Sequence, residues 1–145
     1  MTTLDDVAAL AAKEQGLAVI STLRRDGTIQ ASLVNAGVMA NPFSSEQVTA
    51  FVTYGRVKLD NLRLRPQLAV TFRSGWAWVT VEGSAQLIGP DDPHPDVDPE
   101  RLRLLLREVF IAAGGSHDNW AEYDRVMAEQ RRTVVFVTPT RVYSN

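Results

Sequence analysis

A chain of 145 residues, 45% hydrophobic and 22% charged, suits one packed domain rather than two domains or a disordered segment. A net charge of -2 and a pI of about 5.6 exclude the one-signed basic field that broad attraction to nucleic acid or a membrane surface needs, so any anion site must be local. The absence of cysteine excludes disulfides, thiolate zinc sites and cysteine nucleophiles.

Thr3 is placed to cap a helix. Asp6 lies three residues on and Leu4, Val7, Leu10 and Ala11 recur at helical spacing, so residues 4–15 are predicted helical with Gly16 ending them. Asp5 and Asp6 stand where a secretory leader would be basic, and no stretch approaches the ~18 consecutive apolar residues of a membrane span. The expectation is a soluble cytoplasmic protein.

"LAVISTL" (17–23) and "TIQASLVNAGV" (28–38), joined by "RRDG", read as a β-hairpin, because Asp26-Gly27 supplies the positive φ of a tight turn. "VTAFVTY" (48–54) is a third strand. Between Arg56 and Arg65 a short helix is predicted from Leu59 and Leu62, with Pro66 preventing its continuation. "QLAVTF" (67–72) and "GWAWVTVEGSAQLIG" (75–89) resume the sheet, the second bending at Gly83. After a proline-rich loop, Asp98-Pro99 opens an amphipathic helix to about Ala113, stopped by "GGS". Residues 117–131 read as another helix, and "TVVFVTP" and "RVYS" as closing β-segments. Helices inserted among strands, without a βαβ rhythm, predict an α+β fold that is mainly β, a small antiparallel barrel decorated by helices.

Alternation places Trp76, Trp78, Thr80 and Glu82 on one face of their strand and Ala77, Val79, Val81 and Gly83 on the other. The small aliphatic face suits a barrel interior. The tryptophans then face outward and need a cover, whether the C-terminal helices, a second subunit or an aromatic ligand. In "YGRVKLDNLRLRP" (54–66), Arg56 and Lys58 sit at a strand-to-helix junction, where helix N–H groups and basic side chains can hold a phosphate, with Asn61 one turn on. A solvated helix face is the competing reading. Arg63 and Arg65, in the last turn, complement the helix's negative end and are expected to face water. His94 and His117 lie far apart, so no metal site is expected. Dinucleotide, P-loop and serine-elbow signatures are absent. No catalytic side chain stands out, which points to chemistry carried by a bound cofactor.

"VTYGRVKLDNL", "GWAWVTVEGSAQL" and "HDNWAEYDRVMAEQRRTVVFVTPTRVY", in this order, resemble the pyridoxamine 5'-phosphate oxidase-like split-barrel superfamily, and more closely its actinobacterial branch of flavin and deazaflavin (F420) dependent oxidoreductases. The resemblance implies a homodimer of six-stranded antiparallel split β-barrels with cofactor in clefts between subunits. It implies that Arg56 and Lys58 hold the cofactor phosphate, helped by Thr53 and Asn61. Gln30, Ser32 and Val34 would lie along the ring, and Trp76 and Trp78 would reach in from the other subunit. The phosphate-ester oxidases proper place serine, arginine and lysine consecutively where this chain has "GRVK", so vitamin B6 oxidation is not the expectation. The expected activity is transfer of a hydride from reduced F420 to an unsaturated or conjugated small molecule. An FMN-dependent oxidoreductase, or a carrier binding F420 or flavin without turnover, stands as the alternative. Tyr54 is a possible proton donor, and the loops "NPFSSEQ" and "PDDPHPDVDP" are where the substrate's pocket walls are expected.

Overall fold

In the computed structural model, which describes residues 1–145, four helices and six strands follow one another as α1 (Leu4–Lys13), β1 (Leu17–Leu23), β2 (Ile29–Ala40), β3 (Gln47–Thr53), α2 (Arg56–Leu64), β4 (Gln67–Ser74), β5 (Ala77–Ile88), α3 (Pro99–Ala112), α4 (Trp120–Glu129) and β6 (Thr133–Ser144). The strands close into an antiparallel barrel in the order β1-β2-β3-β6-β5-β4. The expected α+β six-stranded barrel is the observed fold. No helix is long and apolar enough to cross a membrane.

The hairpin turn forms as its residues dictate. Gly27 takes φ 85°, and the Asp26 carboxylate accepts hydrogen bonds from the Thr28 N–H at 3.0 Å and hydroxyl at 2.6 Å. The resulting register sets Ala18, Ile20 and Thr22 opposite Val34, Ser32 and Gln30. Period-2 alternation then turns these residues inward together and leaves Val19, Leu23, Ile29 and Leu33 on the outside. The barrel interior is filled by Ile20, Phe51, Val70, Phe72, Val81, Val135 and their neighbours.

Helices close both ends. At the Leu17 end, α1 inserts Val7 and Ala11 into the interior cluster, and the Ser74 hydroxyl donates to Glu14 at 2.9 Å. At the opposite end, α2 inserts Leu59 and Leu62. A second apolar layer lies outside the wall, where Leu105, Leu106 and Val109 of α3 and Tyr123 of α4 cover Val48 and Ala50 of β3 and Val134 and Phe136 of β6. The C-terminal helices therefore cover this side, not the tryptophans. Gly37 makes the closest approach possible: a Cβ there would lie 2.0 Å from the Ala112 carbonyl oxygen.

Four local readings are refined. Gln15 (φ 56°) and Gly16 (φ 74°) end α1 at Lys13. His117 accepts the Asn119 N–H at 2.9 Å and the Asn119 side chain caps the Glu122 N–H at 3.2 Å, so α4 starts at Trp120 and not at residue 117. The two closing β-segments are one strand. Pro139 sits opposite the predicted bend, where the register shifts between Glu82 and Gly83, and a Cβ at Gly83 would lie 2.3 Å from the Thr138 carbonyl oxygen. Trp76 belongs to the β4–β5 turn rather than to β5, and the residue is 93% exposed.

Candidate cofactor site

β2 and β3 pair only from Ala36↔Phe51 to Ala40↔Gln47. Beyond that point residues 29–35 pair with β1, while Val52 and Thr53 pair with β6. The wall thus splits, and a cavity of about 330 Å³ occupies the split. Leu33, Val34 and Asn35 form one lip; Val52, Thr53 and Tyr54 form the other. Phe110, Ala113, Tyr123 and Met127, from α3, α4 and the α3 C-terminus, form its helical wall. The volume is at the lower end of the ~300–1,000 Å³ of small-molecule pockets, enough for one end of a larger ligand.

Two cations line this apolar space, Lys58 and Arg132. Lys58 folds back over Gly55, whose absent Cβ would stand 3.0 Å from the lysine Cε. Gly55, at φ 129°, is also the N-cap residue of α2 and offers no capping side chain, so the first N–H groups of this nine-residue helix have no side-chain acceptor. The Arg132 guanidinium lies 3.9 Å above the Tyr54 ring centroid, and its Nε donates to Gln130 at 2.8 Å. Neither cation joins any of the chain's ion pairs. Burial lowers the pKa of both, and the Arg132 charge lowers that of Lys58 further. Two half-buried positive charges held together without a carboxylate make a site that an anion stabilises.

Of the residues singled out from the sequence, Val34, Thr53 and Lys58 line the cavity, as does Tyr54. Arg56, at the first turn of α2, has a side chain 94% exposed, 3.7 Å from Asp60 and outside the cavity lining. Asn61 turns into the barrel, where its amide donates to the Thr22 hydroxyl at 3.1 Å, which in turn donates to Gln30 Oε1 at 3.2 Å. Gln30 and Asn61 are thereby held in one interior network. Between Gln30 and Val34 on β2, the Ser32 hydroxyl is buried without a partner. Trp78 packs edge-on against Tyr143 outside the barrel, 6.1 Å between centroids, and with Trp76 lines a separate hollow near Thr71 and Arg73. Glu82 accepts the Tyr143 hydroxyl at 2.5 Å and is not a free base.

The far end of α2 corrects the sequence reading. Arg63 forks onto Asp92 through Nε (2.8 Å) and Nη2 (2.7 Å) and reaches Asp60 with Nη1 (2.9 Å). Arg65 donates to the Leu23 carbonyl at 3.0 Å. Both are tethers to neighbouring segments rather than residues free in water. Arg132, Tyr123, Phe110 and Met127 also line the cavity and were not singled out from the sequence. In "EQRRT", Arg131 points to Asp91 while Arg132 turns to the cavity, and only the pairing Thr53↔Thr133 brings that segment beside Tyr54.

A small antiparallel barrel, split on one side and carrying unpaired cations in the split, defines a class of compact binding and catalytic domains. The profile of the pyridoxamine 5'-phosphate oxidase family matches residues 4–145, and the chain belongs to that family. Among solved structures, it is similar to a conserved hypothetical protein of Mycobacterium tuberculosis, at 17% identity and TM-score 0.67 over 99% of this chain and 84% of that one. It is also similar to an FMN-binding protein of Nostoc punctiforme related to pyridoxamine 5'-phosphate oxidase, at 14% identity and TM-score 0.65 over 99% and 84% of the two chains. An F420 reductase matches at 16% identity and TM-score 0.60 over 88% of each chain.

Proposed function

We propose that the chain is an oxidoreductase that binds reduced F420 in the split of the barrel wall, for use on an unsaturated or conjugated small molecule. The observation that carries this reading is the Lys58–Arg132 pair: two half-buried cations without carboxylates, beside the uncapped N-terminus of α2. Lys58, Arg132 and the first N–H groups of α2 would hold the phosphate, with Arg56 neutralising charge from the solvent side. The residues fit such a group. An anion would relieve the repulsion between the two cations.

When bound, a reduced deazaflavin supplies the hydride. The chain's own part is to anchor the phosphate, to present the apolar lips Val34 and Val52 to the ring, and to exclude water. Tyr54 is the lining phenol without a hydrogen-bonded partner, since the Tyr123 hydroxyl donates to the Leu106 carbonyl at 3.0 Å. That leaves Tyr54 placed to deliver the balancing proton.

We also propose that two copies pair through the outer faces of β1 and β2, where Val19, Leu23, Ile29 and Leu33 are exposed side by side. Trp76 and Trp78 of a second copy would then complete the cleft. A contiguous apolar sheet face of this kind supports an interface rather than a monomer's surface.

FMN is the second reading, because the same cations accept its phosphate and a related fold is an FMN-binding protein. Fluorescence titration with F420 and with FMN ranks the two: tighter F420 binding is expected, and submicromolar FMN binding without F420 binding reverses the order. Lys58→Ala should weaken the preferred cofactor about 10- to 100-fold, the value of a charge-assisted contact of ~1.5–3 kcal/mol. Affinity unchanged in a folded variant removes the phosphate clamp. Single-turnover oxidation of bound F420H2 by a panel of enones and quinones separates enzyme from carrier, and no oxidation by any acceptor favours the carrier.

A further inference from the structure

A larger cavity, about 580 Å³, lies on the other side of Met127 and Arg132 from the cofactor site. Its floor is apolar, formed by Ile88 of β5, Leu102 and Leu106 of α3, and Met127 and Ala128 of α4. The remaining wall is the loop from Gly89 to Asp98, which includes Pro90, Pro93, His94 and Val97. The loop is fixed at two points. Asp91 takes the Arg131 guanidinium and Asp92 takes that of Arg63, so the wall is formed before any ligand arrives.

The charges at this cavity are almost all committed. Asp124 is held by Arg103 and Arg107. Asp98 caps α3 by accepting the Arg101 N–H at 2.7 Å, and Arg131 is paired with Asp91. Two groups retain free donors. Arg132 uses only its Nε, on Gln130, which leaves both Nη groups without an acceptor. His94 accepts the Asp96 N–H on Nδ1 at 3.1 Å, so its neutral ring carries the proton on Nε2. An apolar chamber with an unpaired guanidinium and an imidazole N–H at its margin is complementary to a small ligand with an apolar body and one carboxylate.

We propose that this cavity is a second small-molecule site, specific for an apolar monocarboxylate whose carboxylate meets Arg132 and whose body lies against Leu102, Leu106 and Met127. It requires no cofactor, but Arg132 lines both cavities, so a phosphate held in the split competes with this ligand for the same guanidinium and the test uses the cofactor-free protein. The ligand's charge is the selective feature, because a neutral isostere leaves the guanidinium unpaired.

Methyl-labelled protein titrated with 2-naphthoate and, separately, with neutral 2-naphthamide tests this by NMR. The two cavities report through different methyl groups: Ile88, Val97, Leu102, Leu106 and Ala128 for this one, Leu33, Val34, Val52 and Ala113 for the other. Naphthoate is expected to shift the first set saturably and to bind about tenfold more tightly than naphthamide. Arg132→Gln should abolish that difference. Shifts confined to the second set, equal affinity for the two probes, or no saturable shift would each overturn the proposal. The comparison of probes on the unaltered protein decides even if the variant does not fold.

Discussion

Lys58 holds a charge where burial and a neighbouring cation both oppose it. Its folded pKa is lowered, so the folded state binds this proton less tightly than the unfolded chain does. Stability therefore rises with pH between the lowered value and the ordinary lysine value of about 10.4, and is flat with respect to this group below that window. Lys58→Met should abolish that alkaline gain in the cofactor-free protein without lowering its Tm at pH 7, as thermal denaturation from pH 7 to 10 would record. Asn61 behaves in the opposite way. Its amide sits in the interior network with Thr22 and Gln30, so Asn61→Ala should cost about 1–3 kcal/mol of stability, measured by urea denaturation. Thr53 and Val34 were named only through the family resemblance, whereas Lys58 was legible as lining the cavity in the split, because a strand exit running into a short helix fixes its own neighbourhood. Arg132 was not, since nothing local to "EQRRT" says which of two adjacent arginines turns inward. Asn61 is the converse case: its spacing from Lys58 is right for a shared ligand, but Leu59 and Leu62 bring it into the barrel with them.

The element that forms the helical wall of the cavity in the split is the α3–α4 pair, and one carboxylate ties it. Asp124 on α4 meets Arg107 and Arg103 on α3, and those contacts, Arg107 first, hold its carboxyl below the ordinary carboxylate range. A lowered folded pKa contributes stability that is complete above the unfolded value near 3.9 and is lost as pH falls through the folded one. Asp124→Asn should therefore destabilise the protein by about 1–2 kcal/mol at pH 7, with the difference from the unaltered chain closing in strong acid. Acid titrations of both proteins followed by circular dichroism check this. Helices and strands were readable because their signals are local: the Asp98-Pro99 start, the Gly27 turn, the stop before Pro66. The merger of the last two β-segments was not, because β6 absorbs an extra residue, Thr140, opposite the Glu82–Gly83 step of β5, where Gly83 leaves room for the Thr138 backbone beside Pro139.

For the whole molecule, the exposed outer face of β1 and β2 is the feature that most affects behaviour in solution. If two copies meet there, Val19→Glu combined with Ile29→Glu should convert a dimer to a folded monomer and weaken cofactor binding together. Sedimentation equilibrium with circular dichroism would report it, and a monomeric parent chain would overturn the pairing. The barrel as a class was legible from strand count and the missing βαβ rhythm. Strand order was not, because pairings such as Thr53↔Thr133 join residues far apart in sequence through contacts no window of neighbours records. The outward direction of the strand face bearing Trp78 was legible from alternation alone, whereas what covers it depends on where α3 and α4 come to rest.

β6 is the sixth strand in the chain, yet it lies between β3 and β5. During synthesis the first five strands emerge with two raw backbone edges facing a gap, and those edges stay available to any passing chain until Thr133–Ser144 has left the ribosome. Closure is consequently a late, long-range event, and the nascent barrel is most prone to aggregate just before its sixth strand emerges.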